Sequence, residues 1–194
     1  MRTPSRSVAE QILTAAEELL EQSGPEALTV RGIAEAAGVA PMGVYNHFES
    51  KEGVLGGLVG EGFRRLRHEL EEASEDPDPA LALIDAGRRY RALALESPGI
   101  YRLMFGHDLA DRLSDEALIA EADAAFGALV HMVARLQHAH HYLEPPELAA
   151  QAIWSQVHGW VSLELAGAVF TEHPDIAFER LLEAGATLAL PRGR

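Results

Sequence analysis

The chain has 194 residues, enough for one large domain or for a small one joined to a larger one, and either would bury a sizeable core. Hydrophobic residues make up 47% and charged residues 24%, an ordinary balance for a globular chain, and no apolar run approaches the ~20 residues of a membrane span. A net charge of −14 excludes a coat for nucleic acid or anionic membrane while leaving room for one small DNA-binding face; the absence of cysteine and of a signal-peptide core leads us to expect a cytoplasmic protein without disulfides.

Ser7 and Glu10 have the S-x-x-E spacing of a capping box, and Val8, Ile12, Ala15, Ala16, Leu19 and Leu20 follow at helical spacing, predicting a helix over about 8–22 that stops at Gly24-Pro25. Thr29 is placed to cap a short helix through Ala36, Gly38 supplies a tight turn, and Pro41 opens a third short helix ending near Phe48. Ser50 caps a fourth helix to about Glu72, rich in Gly53, Gly56, Gly57, Gly60 and Gly62, whose softness is one way to pass a conformational signal along it. The acidic, proline-broken stretch Glu75–Pro79 is the clearest punctuation. Beyond it, helices are predicted over about 79–96, 98–105, 115–141, 145–170 and 175–189, with Gly106–Ser114 as one linker. No segment alternates as a strand and no repeat is visible, so the predicted fold class is all-α with about nine helices: an N-terminal three-helix head over 1–50 and a helical body over 51–194.

Thr29–Phe48 reads TVRGIAEAAGVAPMGVYNHF. Small Ala34 and Gly38 and apolar Ile33, Val39 and Val44 fall where two crossed short helices touch, the arrangement of a helix-turn-helix, and Gly38 sits where the turn needs a positive φ. The flanks narrow the choice: E-x-G-x-x-A-L-T-V-R before, and G-V-A-x-x-x-V-Y-N-H-F-x-S-K-E through the third helix. Over residues 8–58 this string closely resembles the TetR family of transcriptional regulators. The resemblance implies that Pro41–Phe48 enters the major groove of double-stranded DNA, with Pro41, Met42 and Gly43 toward base edges, where longer polar side chains are more usual in the family. Hydrogen-bonded readout is then sparse, leaving apolar contact with thymine methyls and DNA shape. Tyr45, His47 and Lys51 match phosphate-contacting positions, as do Thr29 and Arg31; Asn46 reaches a base or a phosphate. Thr29 is equally read as only a cap, and Tyr45 as packing on the first helix. Residues 1–50 carry three arginines against seven carboxylates, so Arg2, Arg6, Arg31 and Lys51 have to cluster on the DNA face if counterion release is to contribute.

In the body, Gln151–Phe170 is apolar almost all round, as in a helix buried on two sides, with Gly159 and Gly167 read as close-approach positions. The last helix adds a second apolar stripe, predicting a homodimer through about 145–170 and 175–189. Trp154, His158 and Gly159 resemble the signature of one TetR subgroup named for those three residue types. The resemblance puts Trp154 and His158 in a ligand cavity; the structural alternative is a core histidine bonded to a carboxylate such as Glu164. Tyr90, Tyr101, Met104, Phe105, Phe126 and Met132 are further pocket candidates, or plain core. A small apolar or weakly acidic effector is the expected ligand. His138 and His141 have a spacing two metal ligands could use, but no third ligand accompanies them and a helix C-terminus accounts for them more simply. No nucleophile motif, phosphate loop or paired acids point to an enzyme, and no cofactor, metal or membrane partner is predicted. The function implied is a repressor released from an inverted-repeat operator by its effector, the alternative being a DNA-binding regulator whose body docks a protein.

Overall fold

A computed structural model describes residues 7–106 and 116–190. Among them are nine α-helices and no strand: α1 (Val8–Ser23), α2 (Val30–Ala37), α3 (Pro41–Phe48), α4 (Lys51–Ala73), α5 (Pro79–Glu96), α6 (Pro98–Phe105), α7 (Glu116–Ala139), α8 (Pro146–Leu165) and α9 (Pro174–Thr187), with one 3₁₀ turn at Pro25–Ala27. The fold is all-α, as the sequence predicts. Arg2, Arg6 and the linker before α7 lie outside the described residues.

Most helix ends follow from local chemistry. Ser7 Oγ accepts from Glu10 N–H while Glu10 returns the bond to Ser7 N–H, at 3.2 and 2.9 Å, closing the capping box of α1. Thr29 Oγ1 takes Gly32 N–H at 3.0 Å, Ser50 Oγ takes Gly53 N–H at 3.2 Å and Asp78 caps α5 through Ala80 N–H at 2.8 Å. At the end of α2, Gly38 adopts φ +67° while Val39 and Gly38 donate to Ala34 and Glu35 carbonyls, a Schellman closure that turns the chain into α3.

The chain divides into two compact units. The first comprises residues 1–63 and 97–121, so it holds α1–α3, the first half of α4, and α6. Its centre is Ile12, Ala16, Leu28, Ile33, Val44, Val54 and Leu58, essentially without exposure; each large aliphatic side chain here contributes about 1.5–3 kcal/mol. Two glycines of α4 permit close crossings: a Cβ at Gly57 would lie 2.9 Å from Leu13, and one at Gly62 2.5 Å from Met104 Sδ. The glycine-rich stretch is thus partly a packing device rather than uniformly soft.

The α1–α6 contact is polar as well. Pro98 has no N–H to satisfy, and the next two donors of α6, Gly99 and Ile100 N–H, both bind the Glu21 carboxylate at 2.9 and 3.0 Å, while Ser97 Oγ donates to Glu17 at 3.3 Å. Gly99 is needed for this approach, since a Cβ there would meet Glu21 Oε1 at 2.8 Å and Leu20 at 2.9 Å.

The second unit, 64–96 and 122–194, is built on α5, α8, α9 and most of α7. Gly87 lets α5 and α9 touch, as a Cβ there would fall 2.3 Å from Leu182. Arg91 of α5 binds both oxygens of Glu164 on α8 at 2.8 and 2.5 Å, reaches Asp175 at 2.9 Å and lies over the Phe178 ring. Arg88 makes a second bidentate pair, with Glu179 at 2.8 and 2.7 Å, which holds the Glu179 carboxyl below the usual carboxylate range. Arg135 of α7 donates to the carbonyls of Ser74 and Asp76, closing the C-terminal end of α4.

Two expectations in this unit are corrected. Gly167 is not a close-approach position within a helix: it lies two residues past the end of α8 at φ +67°, with Ala168 and Gly167 donating to Leu163 and Glu164 carbonyls. The helix therefore stops at Leu165, five residues short of the expected end, and Phe170 is left 96% exposed. Gly159, by contrast, faces open space within the single chain, with nothing within 4 Å of its would-be Cβ, which leaves that face of α8 free. Among the described residues α7 alone has the length and mean hydropathy, 1.5, that would also suit a membrane span. Its buried Leu118, Ala125, Leu129, Met132, Val133 and Leu136 recur at the spacing of a helix that buries one face.

Candidate functional site

The outward face of α3 follows from what its inward face buries. Val44 is fully buried, and at about 100° per residue Met42 and Asn46 both fall some 160° away from it, one turn apart on the outermost line, with Gly43 and Tyr45 on the two flanks. The exposures agree: Met42 is 65% and Tyr45 48% exposed, and Pro41, Asn46 and His47 are exposed beside them. Tyr45 is therefore not simply packed on α1.

Charge around this face is available rather than spent. Arg31, His47 and Lys51 form no ion pair or hydrogen bond with another described residue, nor does the Asn46 side chain; Arg88, Arg89, Arg91 and Arg135 in the second unit are all bound internally. Thr29 does serve as a cap, and its hydroxyl remains at the exposed N-terminus of α2. Ile33 and Val44 belong to the core, as expected, with Phe48 half-buried against Gly57.

Between α3 and α4 the chain is tight. Glu49 has φ +61° and ψ −37° and Ser50 N–H donates to Phe48 O at 2.6 Å, a γ-turn of the rare positive-φ kind. The same carbonyl oxygen would lie 1.9 Å from a Cβ at Gly53. Lys51 is thus delivered beside the end of α3 by a turn with almost no slack.

The eight effector-site residues expected from sequence do not all come together within one unit. Tyr101, Met104 and Phe105 lie on α6 in the first, where Phe105 makes edge contacts with Tyr101 and Phe63 at 5.0 and 5.8 Å between centroids. Tyr90, Phe126, Met132, Trp154 and His158 lie in the second. There Trp154 Nε1–H donates to Tyr90 Oη at 3.2 Å and Tyr90 Oη lies 3.1 Å from His158 Nδ1. Phe126 and His158 flank the Trp154 ring at 6.1 and 5.9 Å. Because an indole N–H can only donate, the tyrosine proton is left for His158 Nδ1; the imidazole then carries its own proton on Nε2, 3.4 Å from Ser162 Oγ. Burial pushes the His158 pKa down, consistent with a neutral ring in this relay. The expected carboxylate partner is corrected: Glu164 is taken by Arg91, and His158 is held by Tyr90 and Ser162. Ser162, one turn beyond His158, was legible from i,i+4 spacing alone.

The first unit also carries an open groove of about 1040 Å³ bordered by Leu20, Lys51, Leu55, Arg102, Leu103 and Leu118, and none of the eight residues lines it. Among the described residues no three histidine or acidic side chains converge as a metal site.

Comparison with known proteins places these features. Residues 12–58 match the family described as bacterial regulatory proteins, tetR family, and residues 83–185 match the tetracyclin repressor-like C-terminal domain. A 110-residue stretch, 56% of this chain, is 31% identical to 55% of the nucleoid occlusion factor SlmA of Aliivibrio fischeri. The chain spans little more than half the length of the curated relatives it matches. A protein of unknown function from Rhodococcus sp. RHA1 shares the fold with a TM-score of 0.81 at 23% identity over 97% of both chains. The TetR family transcriptional regulator PfmR from Thermus thermophilus is 25% identical, with a TM-score of 0.64 over 92% of this chain and 96% of that one. With an exposed α3, a glycine-turned α2–α3 pair and both segments matched, the chain belongs to the TetR family of DNA-binding, helix-turn-helix transcriptional regulators.

Proposed function

We propose that the protein is a cytoplasmic, effector-responsive repressor that binds an inverted-repeat operator as a homodimer. Residues 1–50 supply DNA binding and 51–194 supply effector binding and dimerisation. The observation that carries the reading is the outward face of α3, exposed along its length, together with Arg31 on α2, His47 on α3 and Lys51 three residues beyond it, none of which is spent on an internal partner among the described residues. Thr29, Arg31, Tyr45, His47 and Lys51 hold phosphates, while Pro41, Met42, Gly43 and Asn46 meet base edges. Dimerisation is supported by apolar side chains left on α8 and α9, with Leu148, Leu163 and Ile176 all more than half exposed. The effector role is supported by the Tyr90–Trp154–His158 relay, which offers polar anchors within an aromatic wall.

The test is fluorescence-anisotropy binding of the full chain to the DNA upstream of its own gene, with Tyr45→Ala as control. Saturable binding of two subunits that is lost in the variant is the expected result. Absence of specific binding, there and in a selection from random duplexes, would refute the DNA reading. Release of the bound DNA by small apolar or weakly acidic compounds that also raise the melting temperature tests the effector part.

A further inference from the structure

The outermost line of α3 carries two side chains, Met42 and Asn46, stacked one turn apart opposite the buried Val44. The fold uses neither of them: Met42 is left 65% in solvent, and the Asn46 amide bonds no other described residue. On the flank, a Cβ at Gly43 would meet only Val39, at an ordinary 3.6 Å, and Gly43 is not among the positive-φ glycines. Packing therefore does not call for glycine there, although glycine weakens a helix interior. What its missing side chain provides is room for an external surface to come close to the helix backbone.

Resting on the reading of α3 as the groove helix, the geometry points to Met42 and Asn46 as the specificity-determining pair, reading A·T base pairs at the core of each half-site. An asparagine side chain sets an NH2 donor group beside a carbonyl acceptor, which match the N7 acceptor and N6 donor of adenine; guanine offers two acceptors and leaves the amide oxygen unpaired. The Met42 thioether makes no strong hydrogen bond. Set against the polar edge of a G·C pair it would strip water and return nothing, whereas the C5-methyl of thymine is an apolar match. No arginine or lysine lies on α3 to take guanine, and His47 sits only about 60° from the buried line, turned away from the groove floor.

The test begins with selection of bound sites from a random duplex library by the full-length protein. Each thymine of the selected duplex is then replaced singly by deoxyuridine, which removes one methyl and nothing else, and affinities are measured for the wild type, Met42→Ala and Asn46→Ala. The expected site has A·T pairs at the half-site core. At one or two positions the uracil substitution weakens wild-type binding about fourfold, the equivalent of one buried methyl, and has no effect on Met42→Ala. Asn46→Ala loses between roughly fivefold and 150-fold preference at the contacted adenine. A G·C core, uracil substitutions without effect, or equal sensitivity in Met42→Ala would each overturn the assignment while leaving the DNA-binding reading intact. Enrichment of no sequence at all would overturn both.

Discussion

Replacing Gly53 by alanine places a methyl group 1.9 Å from the Phe48 carbonyl oxygen. That atom is backbone, already the acceptor of the γ-turn bond from Ser50 N–H, and flanked by Glu49 at φ +61°. To restore contact the α3–α4 turn has to open by roughly 1 Å, breaking the bond or moving the end of α3. Overpacking of this kind costs about 1–3 kcal/mol or more, and alanine's helix propensity returns at most about 1 kcal/mol of it. We expect Gly53→Ala to lower stability by about 2 kcal/mol, a fall of about 4–8 °C in Tm for a chain of this size, with weaker DNA binding because Lys51 and α3 shift together. Gly56→Ala is the internal control. It lies three residues on in the same helix with nothing within 4 Å of the added atom, and should gain about 0.5–1 kcal/mol. Urea unfolding of the two variants beside the wild type decides the matter; equal stability of Gly53→Ala and Gly56→Ala would refute the account of the turn.

Glu21→Ala removes the acceptor for Gly99 and Ile100 N–H and should cost about 1–2 kcal/mol in urea unfolding, with Glu21→Gln recovering part; a loss below about 0.3 kcal/mol would mean the α6 N-terminus is satisfied by water. His158 has a folded pKa below its ordinary 6.5, so between the two values the unfolded chain binds more protons: its contribution is complete above about pH 6.5 and is lost as pH falls. Tm measured from pH 7.5 down to 5 should drop less steeply in His158→Gln than in the wild type, and parallel curves would count against the neutral relay. His141 closes α7 at φ +54°, with Tyr142 and His141 N–H on the Gln137 and His138 carbonyls, so His141→Gly should stabilise by about 1 kcal/mol, checked by thermal melting. Among the described residues 7–51, Arg31 and Lys51 are the permanent cations without an internal partner; a dimer that neutralises about four phosphates through these two alone gives log K against log salt a slope near −4, and a steeper slope would count further contacts.

What could be read from the chain were the features written in adjacent residues. Ser7-x-x-Glu10, Thr29, Gly38, Pro41 and Ser50 act on backbone groups two to four positions away, and each sits in the structure at the helix end it predicts. The end of α8 was signalled too, by Gly167, but the apolar run Ala168–Phe170 reads as more of the same stripe. Hydrophobicity shows that a residue could be buried, and the glycine's positive φ decides that the helix has ended. Partners distant in sequence leave no such trace. Glu164 pairs with Arg91 across 73 positions, and nothing in helical spacing distinguishes that from a bond to His158. The same holds for the glycines of α4: Gly53 faces the Phe48 backbone and is required, Gly57 and Gly62 face the mobile ends of the Leu13 and Met104 side chains, Gly56 faces open space, and composition alone makes them equivalent.

The acidity of the chain, which first argues against nucleic acid, is answered in part by where three of the head's acids are spent. Seven carboxylates among residues 1–50 would surround a DNA-binding helix with repulsion if they were free and near it. Glu10 is tied into the α1 capping box, and Glu17 and Glu21 face α6, where Glu21 satisfies donors at a helix N-terminus that would otherwise call for water. No acid lies on α3 itself, although Glu49 sits at the centre of the γ-turn that immediately follows it. Arg31 and Lys51 remain without an internal partner among the described residues, and the net negative charge of the chain opposes any duplex that specific contacts do not hold. Weak electrostatics makes base recognition by Met42 and Asn46 a larger share of the binding energy. A regulator built this way has little non-specific affinity to overcome, and gains its selectivity by declining most DNA rather than by gripping its own site tightly.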